Sequence, residues 1–150
     1  LFILINSNNL DEAIRIGEDF IQKRDKAITS PEFYYNLGYA YVLKGQMPQV
    51  KLYFDRAIRL NREFAFAYNN LGCALWSLRD YTAAIKKFQE AIDRHPAYAD
   101  AYFNLGIAYI QLNRLEDAYG QFERVLDIDP GYREAFNYLK VIRDTLGFQP

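Results

Sequence analysis

The stretch "YYNLGYAYVLKG" at residues 34–45 returns as "YNNLGCALWSLRD" at 68–80 and again as "YFNLGIAYIQLNR" at 102–114. The three copies start 34 residues apart, so the chain divides into equal units that span 31–64, 65–98 and 99–132. Periods of roughly 20 to 50 residues are typical of architectures that stack one small helical or stranded unit on the next. The repetition therefore decides the fold.

Each unit, numbered from 1 to 34, carries two runs of apolar residues at helical spacing. Positions 4, 7, 8 and 11 are apolar or glycine in every unit, and positions 20, 24 and 27 are apolar. Spacings of three and four place such residues on one face of a helix, so each unit predicts two helices. The residues between the runs break or cap helices: Gly45 with Pro48, Arg79 with Asp80, and Asn113 with Arg114.

Position 8 is a glycine in all three units: Gly38, Gly72 and Gly106. A glycine inside a helix costs about 1 kcal/mol relative to alanine. Three of them in register predict a place where two helices approach too closely for a side chain.

The order of a bulky aromatic, Leu-Gly, Tyr, then Ala, Phe, Ala and Pro resembles the tetratricopeptide repeat (TPR) over residues 31–132. The resemblance implies an all-α fold: a right-handed superhelical solenoid of antiparallel helix pairs, forming one continuous domain. It also implies a concave groove lined by the first helix of each pair, where ligands usually bind. We expect 31–64, 65–98 and 99–132 to be the three repeats.

The array is expected to extend at both ends. Residues 8–24 align with the second helix of the third unit, so we interpret 1–30 as a partial repeat, with residues 2–5 as the remnant of its first helix. Ser30 fits a helix cap before a proline at the first helical position. The chain begins with Leu rather than Met, and we interpret it as a fragment of a longer protein.

Residues 133–150 predict a C-terminal capping helix. Phe136 stands in register with the repeat aromatics, but Lys140 replaces the glycine. A lysine at a close contact indicates that no partner helix follows, and a polar outer face is what such arrays need for solubility. Gly147 is expected to end the helix in a left-handed conformation, with Phe148 folding back near Ile142.

Composition excludes several classes of function. The net charge is −1 with both signs mixed along the chain, which disfavours nucleic acid as a partner. Cys73 and His95 are the only cysteine and histidine, so the sequence predicts no disulfide, metal site, cofactor or catalytic constellation. The N-terminal apolar run is too short to insert in a membrane, and the compartment is left open.

A column of asparagines occupies position 6 on the predicted groove: Asn36, Asn70 and Asn104. An asparagine amide matches the N–H and C=O of a peptide bond, so this column could hold a peptide backbone. It is similar to the asparagine ladder in the repeat domain of O-GlcNAc transferase. The alternative is that these asparagines are simply solvated.

Apolar and aromatic side chains share this face and form the second part of the candidate site. Exposed patches of this kind mark contact sites, and Trp and Tyr are favoured anchors. The alternative is that some pack under neighbouring helices. The candidate residues beside the asparagine column are Tyr35, Tyr39, Phe66, Asn69, Trp76, Phe103 and Ile107.

The predicted groove lacks basic residues. Some TPR proteins clamp the C-terminal carboxylate of a chaperone with Lys and Arg at positions 2 and 5. Here position 2 holds Glu32 and Asp100, so we expect no binding of chaperone tails and a preference for ligands that carry Lys or Arg.

Three hypotheses follow. The chain is a non-catalytic protein–protein interaction scaffold that binds a peptide or helix in its groove. Alternatively, it recognises substrates for a larger enzyme, as in repeat-bearing glycosyltransferases. The third hypothesis is a scaffold that self-associates.

Overall fold

The computed structural model describes residues 9–23 and 30–147. Within those ranges it contains helices and no strand, which confirms the all-α solenoid. Each helix packs mainly against its neighbours along the chain, most extensively within each predicted pair. The helices are α1 (Leu10–Lys23), α2 (Pro31–Leu43), α3 (Met47–Leu60), α4 (Ala65–Ser77), α5 (Tyr81–Arg94), α6 (Ala99–Gln111), α7 (Leu115–Ile128) and α8 (Arg133–Leu146).

Local sequence sets where the helices begin. The Ser30 hydroxyl accepts a hydrogen bond from the Phe33 backbone N–H at 3.3 Å, and Pro31 takes the first helical position, as predicted. Asp80 caps α5 in the same way, accepting from the Ala83 N–H at 3.2 Å. Such caps satisfy backbone donors that a helix start leaves unpaired.

The turn inside each pair has the same conformation in all three units. Position 15 is left-handed each time, with φ of 70° at Gly45, 65° at Arg79 and 56° at Asn113. The next residue donates its N–H to the carbonyl of position 11, for example Asp80 to Leu75 at 3.0 Å. This pattern closes the C-terminus of a helix, and glycine adopts it at the lowest steric cost.

The glycines at position 8 are sites of close helix approach, as predicted. A Cβ at Gly72 would lie 2.5 Å from the Phe88 ring, and one at Gly106 would lie 2.8 Å from Phe122. Gly38 stands in the same relation to Phe54. These phenylalanines are almost fully buried, so each pair is held by a ring placed where a side chain is missing.

Helix α1 is anchored to the first full unit by a shared carboxylate. Glu18 accepts hydrogen bonds from the hydroxyls of Tyr41 at 2.7 Å and Tyr53 at 2.6 Å. The two tyrosine rings stack with centroids 5.6 Å apart. Burial, together with the Glu18 carboxylate, raises the pKa of Tyr41 to about 12, so both hydroxyls remain donors at neutral pH. The predicted remnant at residues 2–5 lies outside the described residues.

Helix α8 closes the described part of the array and ends at Gly147, whose φ is 71°, as predicted. Phe148 lies outside the described residues. The expected polar outer face is wrong in part, because Phe136 is 59% exposed and Val141 is 62% exposed. Phe136 holds the aromatic position that elsewhere packs on the second helix of its own unit, and no such helix follows it within the described residues.

Candidate functional site

The predicted groove residues lie along one face of α2, α4 and α6. Tyr39 and Phe66 are the most exposed aromatics among them, at 40% and 47%. Tyr35, Asn36, Asn70, Trp76, Phe103, Asn104 and Ile107 are half-buried. The face is therefore aromatic with amides between the rings.

The asparagine column is tied together across neighbouring first helices. Asn70 Nδ2 donates to Tyr35 Oη at 2.9 Å, and Asn104 Nδ2 donates to Asn69 Oδ1 at 2.9 Å. Each bond joins position 6 of one unit to position 5 of the unit before it. Asn36 makes no equivalent bond among the described residues. The amides of Asn70 and Asn104 are thus oriented by the fold, which differs from the alternative of simple solvation.

The prediction that Asn69 lies on the groove surface is wrong. The residue is 4% exposed and is the one buried polar side chain in the described core. Its Nδ2 donates to Tyr98 Oη at 3.3 Å, and its Oδ1 accepts from Asn104. Asn69 therefore supports the column from within the core, because its amide bonds to both Tyr98 and Asn104.

Three aromatics outside the predicted set complete the groove floor. They share the last position of each unit: Phe64, Tyr98 and Tyr132. The Phe64 ring lies 5.0 Å from Tyr35 between centroids, and Tyr132 lies 5.1 Å from Phe103. The recurrence of an aromatic at position 34 is the signal that could have identified them.

Phe103 is already engaged by the end of the array. Besides Tyr132, its ring contacts Phe122 at 5.5 Å and Tyr138 of α8 at 5.9 Å. This outcome matches the alternative that some lining residues pack under neighbouring helices. Tyr39 and Phe66 are the more accessible candidate anchors.

Two apolar cavities lie in the groove at successive helix steps. One, of about 90 Å³, lies between α2 and α4 and is lined by Tyr39, Val42 and Asn70, among others. The other, of about 200 Å³, lies between α4 and α6 and is lined by Trp76, Asn104 and Ile107, among others. Cys73 and Ser77 line both cavities and form the ridge between them. Each cavity therefore has one asparagine of the column at its border.

Acidic side chains mark one edge of the groove, at the starts of α2 and α6. The Ser30 hydroxyl donates to Glu32 at 2.6 Å, and this bond lowers the pKa of that carboxyl group. Tyr132 Oη donates to Asp100 at 3.1 Å. Burial and the Asp100 charge raise the pKa of Tyr132 to about 12, so its hydroxyl stays a donor. Each carboxylate accepts a hydrogen bond from one neighbouring side-chain hydroxyl.

The groove thiol is poorly suited to chemistry. Cys73 is exposed at the ridge. The surrounding protein nevertheless desolvates its sulfur, which raises the pKa of the thiol to about 11. Since the thiolate is the reactive form, the thiol is a weak nucleophile at neutral pH. In the described part of the chain, no three His, Cys, Asp or Glu side chains cluster as a metal site would require.

A larger cavity, about 400 Å³, lies outside the groove between Tyr34 and the α3 residues Leu52, Arg56, Arg59 and Leu60. In the second unit Arg94 lies 4.1 Å from the ring centre of Tyr68, the aromatic equivalent to Tyr34. The repeated pair of groove cavities is the better candidate site. None of the described helices combines the length and the apolar character that crossing a bilayer requires.

Solved structures share this architecture. MamA superposes with a TM-score of 0.86 at 26% identity, covering 96% of this chain and 82% of MamA. YrrB, described as a TPR protein with an unusual peptide-binding site, gives 0.77 at 25% identity, covering 97% and 73%. The first TPR of Spaghetti (RPAP3) bound to the HSP90 peptide SRMEEVD gives a TM-score of 0.75 at 24% identity, covering 79% of this chain and 96% of the other. At that identity the likeness concerns the fold alone.

Sequence comparison assigns the family. No curated protein sequence matches the chain significantly. Family models of the tetratricopeptide repeat match residues 31–64, 50–92 and 69–133, which is more than half of the chain. The chain therefore belongs to the tetratricopeptide repeat family.

Proposed function

We propose that this chain is a non-catalytic protein–protein interaction scaffold that binds a peptide segment of a partner protein in the groove. The observation that carries the proposal is the pair of apolar cavities bordered by Asn70 and Asn104, whose amides are already oriented. Apolar cavities with a few placed polar groups are the usual form of a recognition site. Oriented amides also reduce the entropy lost when a ligand's backbone is held.

Similar structures support this proposal without naming a partner. YrrB is described as having a peptide-binding site, and the Spaghetti TPR is bound to an HSP90 peptide. The groove of this chain carries Glu32 and Asp100 and no basic residue at the equivalent edge positions, so we do not propose a chaperone tail as its ligand.

Affinity capture from a lysate tests the proposal. The Tyr39→Ala/Phe66→Ala variant removes exposed groove rings without touching the asparagine bonds, and the Asn70→Ala/Asn104→Ala variant removes the amides. The Lys86→Ala/Gln89→Ala variant, on the exposed face of α5, is the matched control. We expect both groove variants to lose partners that wild type and the control retain. Equal capture by all four proteins, with folding verified by circular dichroism, would contradict a groove-binding role.

Self-association is the second candidate, and the exposed apolar side chains on α8 favour it. Phe136 and Val141 lie more than half exposed on a helix that ends the described array. Light scattering over a concentration series checks this candidate, with Phe136→Ser/Val141→Ser expected to reduce any association. The hypothesis of a substrate-recognition segment of a larger enzyme would be supported by a catalytic domain on the same polypeptide.

A further inference from the structure

We infer that the groove selects a polyproline II segment in which apolar residues recur every third position and Lys or Arg stand between them. This inference rests on the proposed function and specifies the conformation, spacing and charge of its ligand. Three rows on the groove carry it: the cavities, the asparagine column and the acidic edge.

The cavity spacing selects the ligand's conformation. Side-chain hydrogen bonds join neighbouring first helices directly, so we take their axes to lie about 10 Å apart and the two cavities to be separated by about that distance. A polyproline II helix rises about 3.1 Å per residue with three residues per turn, so side chains three apart lie about 9 Å apart on one face. In a β-strand, residues on one face are about 6.6 or 13 Å apart, and neither spacing fits.

The asparagine column separates polyproline II from an α-helical ligand. An α-helix with apolar residues seven apart would also span about 10 Å, at 1.5 Å per residue. Its backbone groups, however, are bonded internally, whereas those of polyproline II remain free. Asn104 Nδ2 donates to both Asn69 Oδ1 and Cys73 Sγ, but its Oδ1 makes no bond within the described protein, and Asn70 Nδ2 keeps one amide hydrogen for a ligand. Free backbone groups are the partners that such amides fit.

The acidic edge of the groove selects the charge of the ligand. Glu32 and Asp100 lie at position 2, about 6 Å along the helix from the asparagine row and on the side opposite the cavities. None of the predicted concave positions carries Lys or Arg. A polyproline II ligand seated on the asparagines presents three faces: one to the cavities, one to the acidic edge and one to solvent. Its second face therefore suits Lys or Arg, because complementary charge selects partners.

The unequal cavities add a size preference. The cavity between α2 and α4 is about 90 Å³, and the one between α4 and α6 is about 200 Å³. We expect a smaller apolar side chain, such as valine, at the first and a larger one, such as leucine, at the second.

Fluorescence anisotropy with labelled peptides tests the inference on the full chain. The probe PVKPLKPVKPLK has apolar residues every third position and Lys after each. The peptide PVEPLEPVEPLE reverses the charge, and PVKLPKPKVPLK has the probe's composition without valine or leucine three residues apart. We expect the probe to bind about tenfold more tightly than the acidic peptide, because two exposed ion pairs are replaced by repulsion.

Three variants locate the effect. Glu32→Gln/Asp100→Asn should reduce the preference for the Lys peptide to about threefold or less. Asp93→Asn/Glu123→Gln makes the same net charge change on exposed positions of α5 and α7 and should leave it unchanged. Cys73→Trp fills the ridge shared by both cavities and should abolish binding of the probe.

The outcomes separate this inference from the proposed function. Equal or tighter binding of the acidic or the permuted peptide would overturn the inference, as would no binding of the probe at about 1 mM. Groove-dependent capture in the lysate experiment would then still support a peptide scaffold with a different ligand. Tighter binding of a helical peptide with leucines seven apart would likewise overturn the polyproline II assignment alone.

Discussion

Helices α6 and α8 occupy the same register of the repeat, yet only one of their two packing faces is buried in both helices. The face toward the preceding unit is retained: Ala101 and Ala135 are both fully buried, and Ala108 and Ile142 are nearly so. The face toward the following helix differs, because Tyr102 is 9% exposed and Phe136 is 59% exposed. Gly106 meets the Phe122 ring, whereas Lys140 takes the glycine's place. The burial of one packing face of a first helix is therefore independent of the burial of the other.

The largest expected effect on stability comes from comparing the removal of a buried aromatic ring with the removal of an exposed one. Phe122→Ala deletes a fully buried ring and should cost about 3–5 kcal/mol of unfolding free energy. Phe136→Ala deletes an exposed ring and should change stability by less than about 0.5 kcal/mol. Urea denaturation monitored by circular dichroism measures both. Similar losses would mean that the outer face of α8 is covered in solution.

A second test fills the space at position 8. Gly72→Ala places a methyl group 2.5 Å from the Phe88 ring and 3.2 Å from the Ala84 carbonyl oxygen. Overpacking of this kind costs about 1–3 kcal/mol and should outweigh the roughly 1 kcal/mol gain in helix propensity. Lys140→Ala is the control and should be nearly neutral in chemical denaturation. A stabilised Gly72→Ala protein would show that α4 and α5 separate easily.

The third test compares position 5 in the two contexts. Asn69→Ala leaves Asn104 and Tyr98 without one of their partners and should cost about 1–2 kcal/mol. Asn137→Ala lies at the same position of exposed α8 and should have little effect. Thermal unfolding of the pair measures the difference. No difference between them would indicate that water replaces the buried amide.

The smallest expected effect is a dependence on alkaline pH. The pKa of Tyr41 is raised from 10.0 to about 12 by burial and by the Glu18 carboxylate, and Tyr132 is raised to about 12 by burial and Asp100. A raised pKa favours the neutral phenol in the folded state. This stabilisation is therefore complete below pH 10 and declines as pH rises toward 12.

Melting temperatures across that range check the pH prediction. Tyr41→Phe should reduce the slope of melting temperature against pH, because phenylalanine does not ionise. Equal slopes for wild type and Tyr41→Phe would exclude this tyrosine as the source.

Periodicity predicts the helix pairs and the glycine contacts, because those features depend on residues within one unit, and the Ser30-Pro31 pair predicts the cap of α2. It also places the groove residues on one face. It does not predict which of them are covered, since that depends on side chains from later parts of the chain. Asn69 bonds to the Tyr98 hydroxyl, and the Phe103 ring contacts Tyr132 and Tyr138, across 29 to 35 residues of sequence. The polar-face expectation for α8 is wrong in part, because Lys140 replaces the glycine while the exposed Phe136 keeps the repeat's aromatic residue.

The identical left-handed turn at position 15 bears on how this protein could change in length. Gly45, Arg79 and Asn113 reverse the chain in the same way, so each 34-residue segment begins and ends in the same orientation. Duplicating one segment would add a helix pair without disturbing its neighbours, because stability in such arrays is roughly a sum of units and adjacent interfaces. Each added segment would lengthen the groove by one step of about 10 Å. The reach of the binding surface is thus set by the number of copies and can grow without redesign of the fold.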